Sequence, residues 1–271
     1  MPRVVGSRAE RRVGNATEPV AADVVELQAV SLRSKTSPPG RSTRLTGGFF
    51  GPPKSGKTTA ACSGSKVLLV EFDPDGDQTE TLMARTDVDV YKPESWKDVD
   101  DMVKQLLTID RETWGWWVLD SITLQAEMLG GRELAAAMKG DKDPRRAYQK
   151  IGASINQTVR DLLTGPASVI FTAQIKADKA DEDDDIVVVG PDEAEYPVTL
   201  AVTPMVYKVL GPSVSFIGRT YRRPAGNGQS RFFVSLNDNG RSPASNRLGL
   251  PNTIENINLQ DLLDEKVKGQ A

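Results

Sequence analysis

The chain has 271 residues, a formal net charge of −3 and 38% hydrophobic residues, enough apolar side chain for one sizeable core beneath an ordinary water-facing surface. It contains no histidine and one cysteine, Cys62. Histidine-based triads and a disulfide within the chain are therefore excluded, and any catalysis has to rest on carboxylates, lysine or a metal held by oxygen. No apolar run is long enough to cross a bilayer, and MPRVVGSRAERRVGNATEP lacks the apolar centre of a secretory signal, so a cytoplasmic protein without a membrane partner is expected.

Residues 1–44 are rich in Arg, Ser, Thr and Pro, with only VAADVVELQAVSL as a short apolar stretch, and read as a flexible arm. Its basic excess suits either nucleic acid or a solvated tail. From Leu45 onward, strands and helices alternate. LTGGFF is a strand, KSGKTTAACSGS a helix in which Cys62 packs inward, and KVLLVEFD a buried strand. Trp96, Val99, Val103, Leu106 and Leu107 recur at helical spacing, and Ser95 with Asp98 three residues later fits a capping box. GWWVLDS is the next strand. Tyr148, Ile151, Ile155, Val159 and Leu162 mark an amphipathic helix, and ASVIFTAQI a further strand. This alternation predicts an α/β fold with right-handed crossovers and a mainly parallel sheet covered on both faces. SVSFIG and SRFFVSL, separated by RRPAGNGQ, predict an antiparallel extension at the edge. The chain thus divides into an arm 1–44, a core 45–245, and a tail 246–271 with a short helix.

Gly51-Pro52-Pro53-Lys54-Ser55-Gly56-Lys57-Thr58 fits G-x-x-x-x-G-K-[ST] and lies between a strand and a helix, the context that motif needs. Glycines let successive backbone N–H groups turn inward, and the helix N-terminus adds positive potential. Lys57 would reach the terminal phosphates and Thr58 would hold magnesium through its hydroxyl. With Thr59 beside it, the stretch is the expected ATP-binding segment. A magnesium-dependent site also needs carboxylates at neighbouring strand ends. Asp120, closing WWVLD, is the expected Walker B acid, and it equally suits the N-cap of the helix that follows. Glu71 and Asp73 stand two apart in VLLVEFD and would share a strand face. Asp73, nearer solvent, is assigned the activation of the attacking water, with Glu71 in a supporting or alternative role.

GPPKSGKTT, the acid-bearing second strand, WWVLDS and VIFTAQIK together resemble the RecA-type ATPase core. They look most like phage-encoded nucleotide-binding proteins with a reduced RecA core, some of which anneal single strands in an ATP-dependent way. The resemblance covers about residues 45–245, with SNRLGLPNTIENINLQDLL as a family-like tail. It implies a RecA-like P-loop fold, bound ATP and Mg2+, ATP hydrolysis, single-stranded DNA and a single-strand-binding protein as partners, and a ring or filament of identical subunits in the host cytoplasm. It also gives Gln174, at the end of VIFTAQIK, the role of sensing the terminal phosphate, with plain hydrogen bonding at a strand end as the competing reading. The family usually carries glutamate where Asp73 stands, which implies slow turnover or a nucleotide used as a switch. RecA-like folds carry a mobile DNA-facing loop where this chain has KADKADEDDDIVVVGPDEAEYP. That Asp run repels phosphate, so DNA contact is assigned instead to KGDKDPRRAYQK, with Arg145, Arg146, Tyr148 and Lys150, and to GRTYRRP, with Arg219, Tyr221, Arg222 and Arg223. For each, a solvated surface with Tyr as packing anchor is the competing reading. Arg219, Arg222, Arg223 and Arg247 are the candidates for a charge supplied across a subunit interface. VLLVEFDPDGDQT also looks like ParA/MinD-type partition ATPases, but the lysine they carry early in the loop is here Pro52. A nucleotide-dependent assembly module without turnover is the third reading.

Overall fold

Short apolar runs become strands and the longer amphipathic stretches become helices. The computed structural model describes residues 44–73, 82, 84–110, 112–128, 144–177, 198–202, 204–226, 229–238 and 243–268. The arm to residue 43 and the acidic segment 178–197 lie outside the described residues. The strands are β1 (Thr46–Phe50), β2 (Val67–Glu71), β3 (Val88–Tyr91), β4 (Trp116–Asp120), β5 (Ser168–Ala173), β6 (Ile175–Ala177), β7 (Val198–Leu200), β8 (Phe216–Gly226), β9 (Gln229–Ser235), β10 (Ser245–Asn246) and β11 (Thr253–Glu255). The helices are α1 (Lys57–Ala61), α2 (Trp96–Leu106), α3 (Pro144–Thr164), α4 (Pro204–Ser213) and α5 (Leu259–Lys268), with a further helical stretch at 122–128. None of the helices among the described residues is long and apolar enough to cross a membrane.

Among the described residues one large sheet runs β11-β9-β8-β1-β5-β4-β2-β3, with β10 beside β8, and β6 and β7 form a separate two-stranded ladder. Every pairing from β8 through β1, β5, β4 and β2 to β3 is parallel, whereas β9, β10 and β11 add antiparallel. The central strands are buried on both faces, so they read as unbroken apolar runs. Alternate residues serve opposite layers. Leu68, Val70, Trp117, Leu119, Val169 and Phe171 pack with α2, α3 and α4, while Phe49, Val67, Leu69, Trp116, Val118 and Ile170 pack with α1 and α5.

The capping box at Ser95 and Asp98 is present, each side chain meeting the other residue's backbone N–H. Several local expectations change. The helix after the phosphate motif lasts only from Lys57 to Ala61, because Ser63 Oγ closes it on Ala60 O at 2.7 Å. Gly64 then passes so close to Trp116 that a Cβ would lie 2.5 Å from its indole nitrogen. Tyr148, read both as the first residue of the apolar stripe of α3 and as an exposed contact, is 54% exposed, and Ala147 takes the inward position. RRPAG, read as part of a turn, continues β8 against β9, with the irregularity that proline requires falling between Pro224 and Gly226. The residues expected as a separate tail are integrated. β11 extends the sheet beside β9, and Leu259 and Leu263 of α5 are core residues.

Candidate nucleotide site

β1 is held between β5 and β8, so the loop that leaves its C-terminal end hangs from the middle of the parallel sheet. Gly51 N donates to Ala173 O at 3.3 Å, anchoring the loop to β5. A Cβ on Gly51 would lie 2.4 Å from Thr220 Oγ1 and 2.7 Å from Ser55 Oγ, so only glycine fits. Those two hydroxyls are 2.7 Å apart, and Thr220 Oγ1 reaches Phe50 O at 3.3 Å, pinning the loop to β8 as well. Lys54 (φ 59) and Gly56 (φ 87) are left-handed, the kind of turn in which backbone N–H groups form an anion-binding nest. This is a shape suited to phosphate, built from Gly51, Pro52, Pro53, Lys54, Ser55 and Gly56 ahead of Lys57, Thr58 and Thr59 on α1.

Lys57 Nζ folds back on the loop and donates to Pro52 O at 2.8 Å. Burial lowers its pKa from 10.5 to about 8, with the Asp120 carboxylate pulling the other way. Asp120 sits at the end of β4 and accepts two hydrogen bonds, from Thr58 Oγ1 on Oδ2 and from Thr172 Oγ1 on Oδ1. The Asp120–Ser121 peptide is cis. In the sequence Thr172 shows only as a hydroxyl inside the apolar run SVIFTA; in the fold it is fully buried. The Thr58 hydroxyl and Asp120 carboxylate make an oxygen pair of the kind that holds magnesium together with nucleotide phosphates. Among the described residues no cluster of three or more His, Cys, Asp or Glu offers a protein-only cage. Bound there, the ion would neutralise charge on the phosphate oxygens.

Glu71 lies opposite Asp120 in the β2–β4 register. It is 3% exposed and paired with Lys92 Nζ at 2.9 Å. Asp73, just past β2, is partly exposed. Both acids line a cavity of about 540 Å³ that also includes Lys92, Glu94, Leu124 and Glu127. Gln174 stands between β5 and β6. Its N–H donates to Thr123 Oγ1 at 3.1 Å and its carbonyl accepts from Ala201 N at 2.8 Å, so one residue joins the strand carrying Thr172, the helical stretch after Asp120, and the end of the β6–β7 ladder.

The expected cationic surfaces divide. Arg145, Arg146, Tyr148 and Lys150 are exposed at the start of α3, as are Arg222 and Arg223 on β8. Arg219 and Tyr221 are not surface residues. They are 2% and 3% exposed, and Thr220 between them is 1% exposed, because β8 here lies between β1 and β9 with both faces covered. The Tyr221 ring stacks on Phe233 at 5.4 Å, and Arg223 lies 5.6 Å over that Tyr221 ring. The Arg219 Nε and Nη1 atoms have no hydrogen-bond partner among the described residues, and burial lowers its pKa. Arg247 donates to Pro212 O at 2.6 Å, tying the end of α4 to the segment after β10.

A mainly parallel sheet with a glycine-lysine-threonine loop on its central strand, and an acid two strands away bonded to that threonine, defines a RecA-like P-loop ATPase core. The chain belongs to the AAA domain family, whose model matches residues 43–210, from the start of β1 into α4. Its fold is similar to that of the RadB recombinase, at 16% identity over 78% of this chain and 86% of that one with a TM-score of 0.43. It is also similar to the flagellar accessory protein FlaH from Methanocaldococcus jannaschii, at 10% identity over 78% and 84% with a TM-score of 0.38. No curated protein matches the chain in sequence.

Proposed function

We propose that this protein is a magnesium-dependent ATPase of phage-type DNA recombination or replication, which binds single-stranded DNA and promotes strand annealing or remodelling as a cytoplasmic homo-oligomer. The observation that carries the reading is the run of hydrogen bonds from Thr58 to Asp120 to Thr172, and, two residues along the same strand, Gln174 bonded to Thr123 and to the end of the β6–β7 ladder. A phosphate on the loop would draw Lys57 from Pro52 O, Asp73 would orient the attacking water, and Gln174 would pass the state of the site to the ladder.

The DNA half rests on placement. α3 leads into β5, so its first turns lie at the sheet edge where the parallel strands end. There Arg145, Arg146, Tyr148 and Lys150 are exposed. β8 continues past the level of Phe50, which pairs with Arg219, and so carries Arg222 and Arg223 beyond the same edge. Cations with an interleaved aromatic on the nucleotide side of the sheet suit a single strand. Arg222, Arg223 and Arg247 remain the exposed candidates for a charge supplied to a neighbouring subunit.

The test is ATP turnover with magnesium, with and without single-stranded DNA. Stimulation by the DNA, abolished in Lys57→Ala, is the expected result, and no binding of single-stranded DNA at low salt overturns the DNA half. A preference for duplex DNA with an ATP-bound dimer would favour a partition-type ATPase. A second reading, a nucleotide-dependent switch with little turnover, is favoured by the Glu71–Lys92 pair, which occupies the buried acid. ATP that stays bound and uncleaved would select it.

A further inference from the structure

Beside the phosphate loop, on the flank of α1, the structure has a second and smaller concavity of about 150 Å³, bounded by α1, the β8–β9 hairpin and the residues ahead of α5. Its floor includes Ser55, Gly56 and Thr59, so it is continuous with the phosphate loop. Its wall is Phe232, which is 41% exposed and packs on Gly56 so closely that a Cβ there would lie 2.8 Å from the ring. A large aromatic left half open at a phosphate loop is a platform for another flat ring. The cavity is about half the size of the smallest usual small-molecule site, roughly 300 Å³, which suits a ring system better than a whole nucleotide.

The polar groups around it narrow the occupant. Ser55 and Thr220 bond to each other, and Ser63 Oγ is engaged by Ala60 O and Leu259 N. That leaves the Thr59 hydroxyl, from α1, and the Asn256 amide, from the segment ahead of α5. Asn256 is fixed beside the aromatic, since its backbone N–H donates to Phe232 O at 2.9 Å in a left-handed conformation at φ 49. Arg222 stands opposite Phe232 in the hairpin register and shares its face, adding a cation on the approach.

Resting on the nucleotide-site reading above, we infer that this concavity takes the nucleobase, stacked on Phe232, with Asn256 reading its edge and Thr59 turned toward the phosphates. An amide offers a donor and an acceptor side by side, a pair that adenine matches through its amino group and a ring nitrogen, and adenine is the base of the nucleotide in the reading above.

The experiment compares ATP, GTP and inorganic tripolyphosphate binding to the full chain by calorimetry. In the wild-type protein ATP binds tighter than both. Phe232→Ala weakens ATP roughly tenfold to a hundredfold, the range of one aromatic–base stack, and leaves tripolyphosphate unchanged, while Phe232→Trp restores ATP binding. Asn256→Ala weakens ATP and leaves tripolyphosphate unchanged. If ATP binds the wild-type protein no tighter than tripolyphosphate, or Phe232→Ala weakens both ligands equally, the base site is overturned and the phosphate loop stands. If neither ligand binds the wild-type protein, the nucleotide reading itself falls, and the base site with it.

Discussion

Lys57→Met should stabilise the nucleotide-free protein at neutral pH while abolishing its use of ATP. Burial holds the Lys57 pKa at about 8 against 10.5 when unperturbed. At 1.36 kcal/mol per pH unit, keeping that lysine charged in the fold costs roughly 3 kcal/mol. The sign follows from proton counts. Between pH 8 and 10.5 the unfolded chain still holds the proton that the folded chain has released, so wild-type stability rises with pH across that window and the cost is fully present below it. Methionine removes the cost but leaves Pro52 O without the donor it has at 2.8 Å, a loss of about 1 kcal/mol. The variant should therefore be more stable than wild type by roughly 2 kcal/mol at pH 7 and slightly less stable near pH 10.5. Urea unfolding at both pH values, in buffer free of phosphate and nucleotide, measures this. A wild-type-to-variant difference that does not change with pH would refute the reasoning.

Three further outcomes are expected. Asp120→Asn replaces a carboxylate that accepts from both Thr58 and Thr172 by an amide with one accepting oxygen. Magnesium titration of ATP turnover should show the metal's apparent affinity weakened about 10- to 100-fold. Gly56→Ala must adopt φ 87 and place its methyl 2.8 Å from the Phe232 ring. It should lose about 1–2 kcal/mol to the left-handed backbone alone and more to the clash, so denaturation of Gly56→Ala with Phe232→Ala should show part of the loss recovered. Asp73→Asn should retain ATP binding and lose turnover by roughly a hundredfold or more, and unchanged turnover would remove Asp73 from water activation.

The sheet's parallel half was legible because its strands are buried on both faces, which leaves continuous runs such as VLLVE and WWVLD that alternation cannot disguise. The phosphate loop was legible because its backbone admits few residues: nothing larger than glycine fits at 51. What was lost depended on partners far along the chain. RRPAG has the local chemistry of a turn, and pairing with β9 holds it as a strand nonetheless. Earlier in β8, β1 on one side and β9 on the other leave Arg219 and Tyr221 buried, away from the surface role their composition suggested. Thr172 is one hydroxyl in an apolar run, and only the fold brings it to Asp120. The C-terminal residues looked like an appendage because nothing local announces that Gln260 Oε1 will accept from Trp116 Nε1 at 3.2 Å.

The central position of β1 also sets an order of assembly during synthesis. The strand that carries the phosphate loop emerges early, yet its two neighbours are β5, where Thr46 meets Val169, and β8, where Phe50 meets Arg219. Closing such distant pairings is slow and needs the intervening chain to be present. A nascent chain that has passed the ribosome only as far as α3 therefore carries the whole glycine-lysine-threonine motif and neither of the strands that flank it. The two anchors of the phosphate loop, Gly51 N to Ala173 O and Ser55 Oγ to Thr220 Oγ1, can therefore form only after most of the chain has been made.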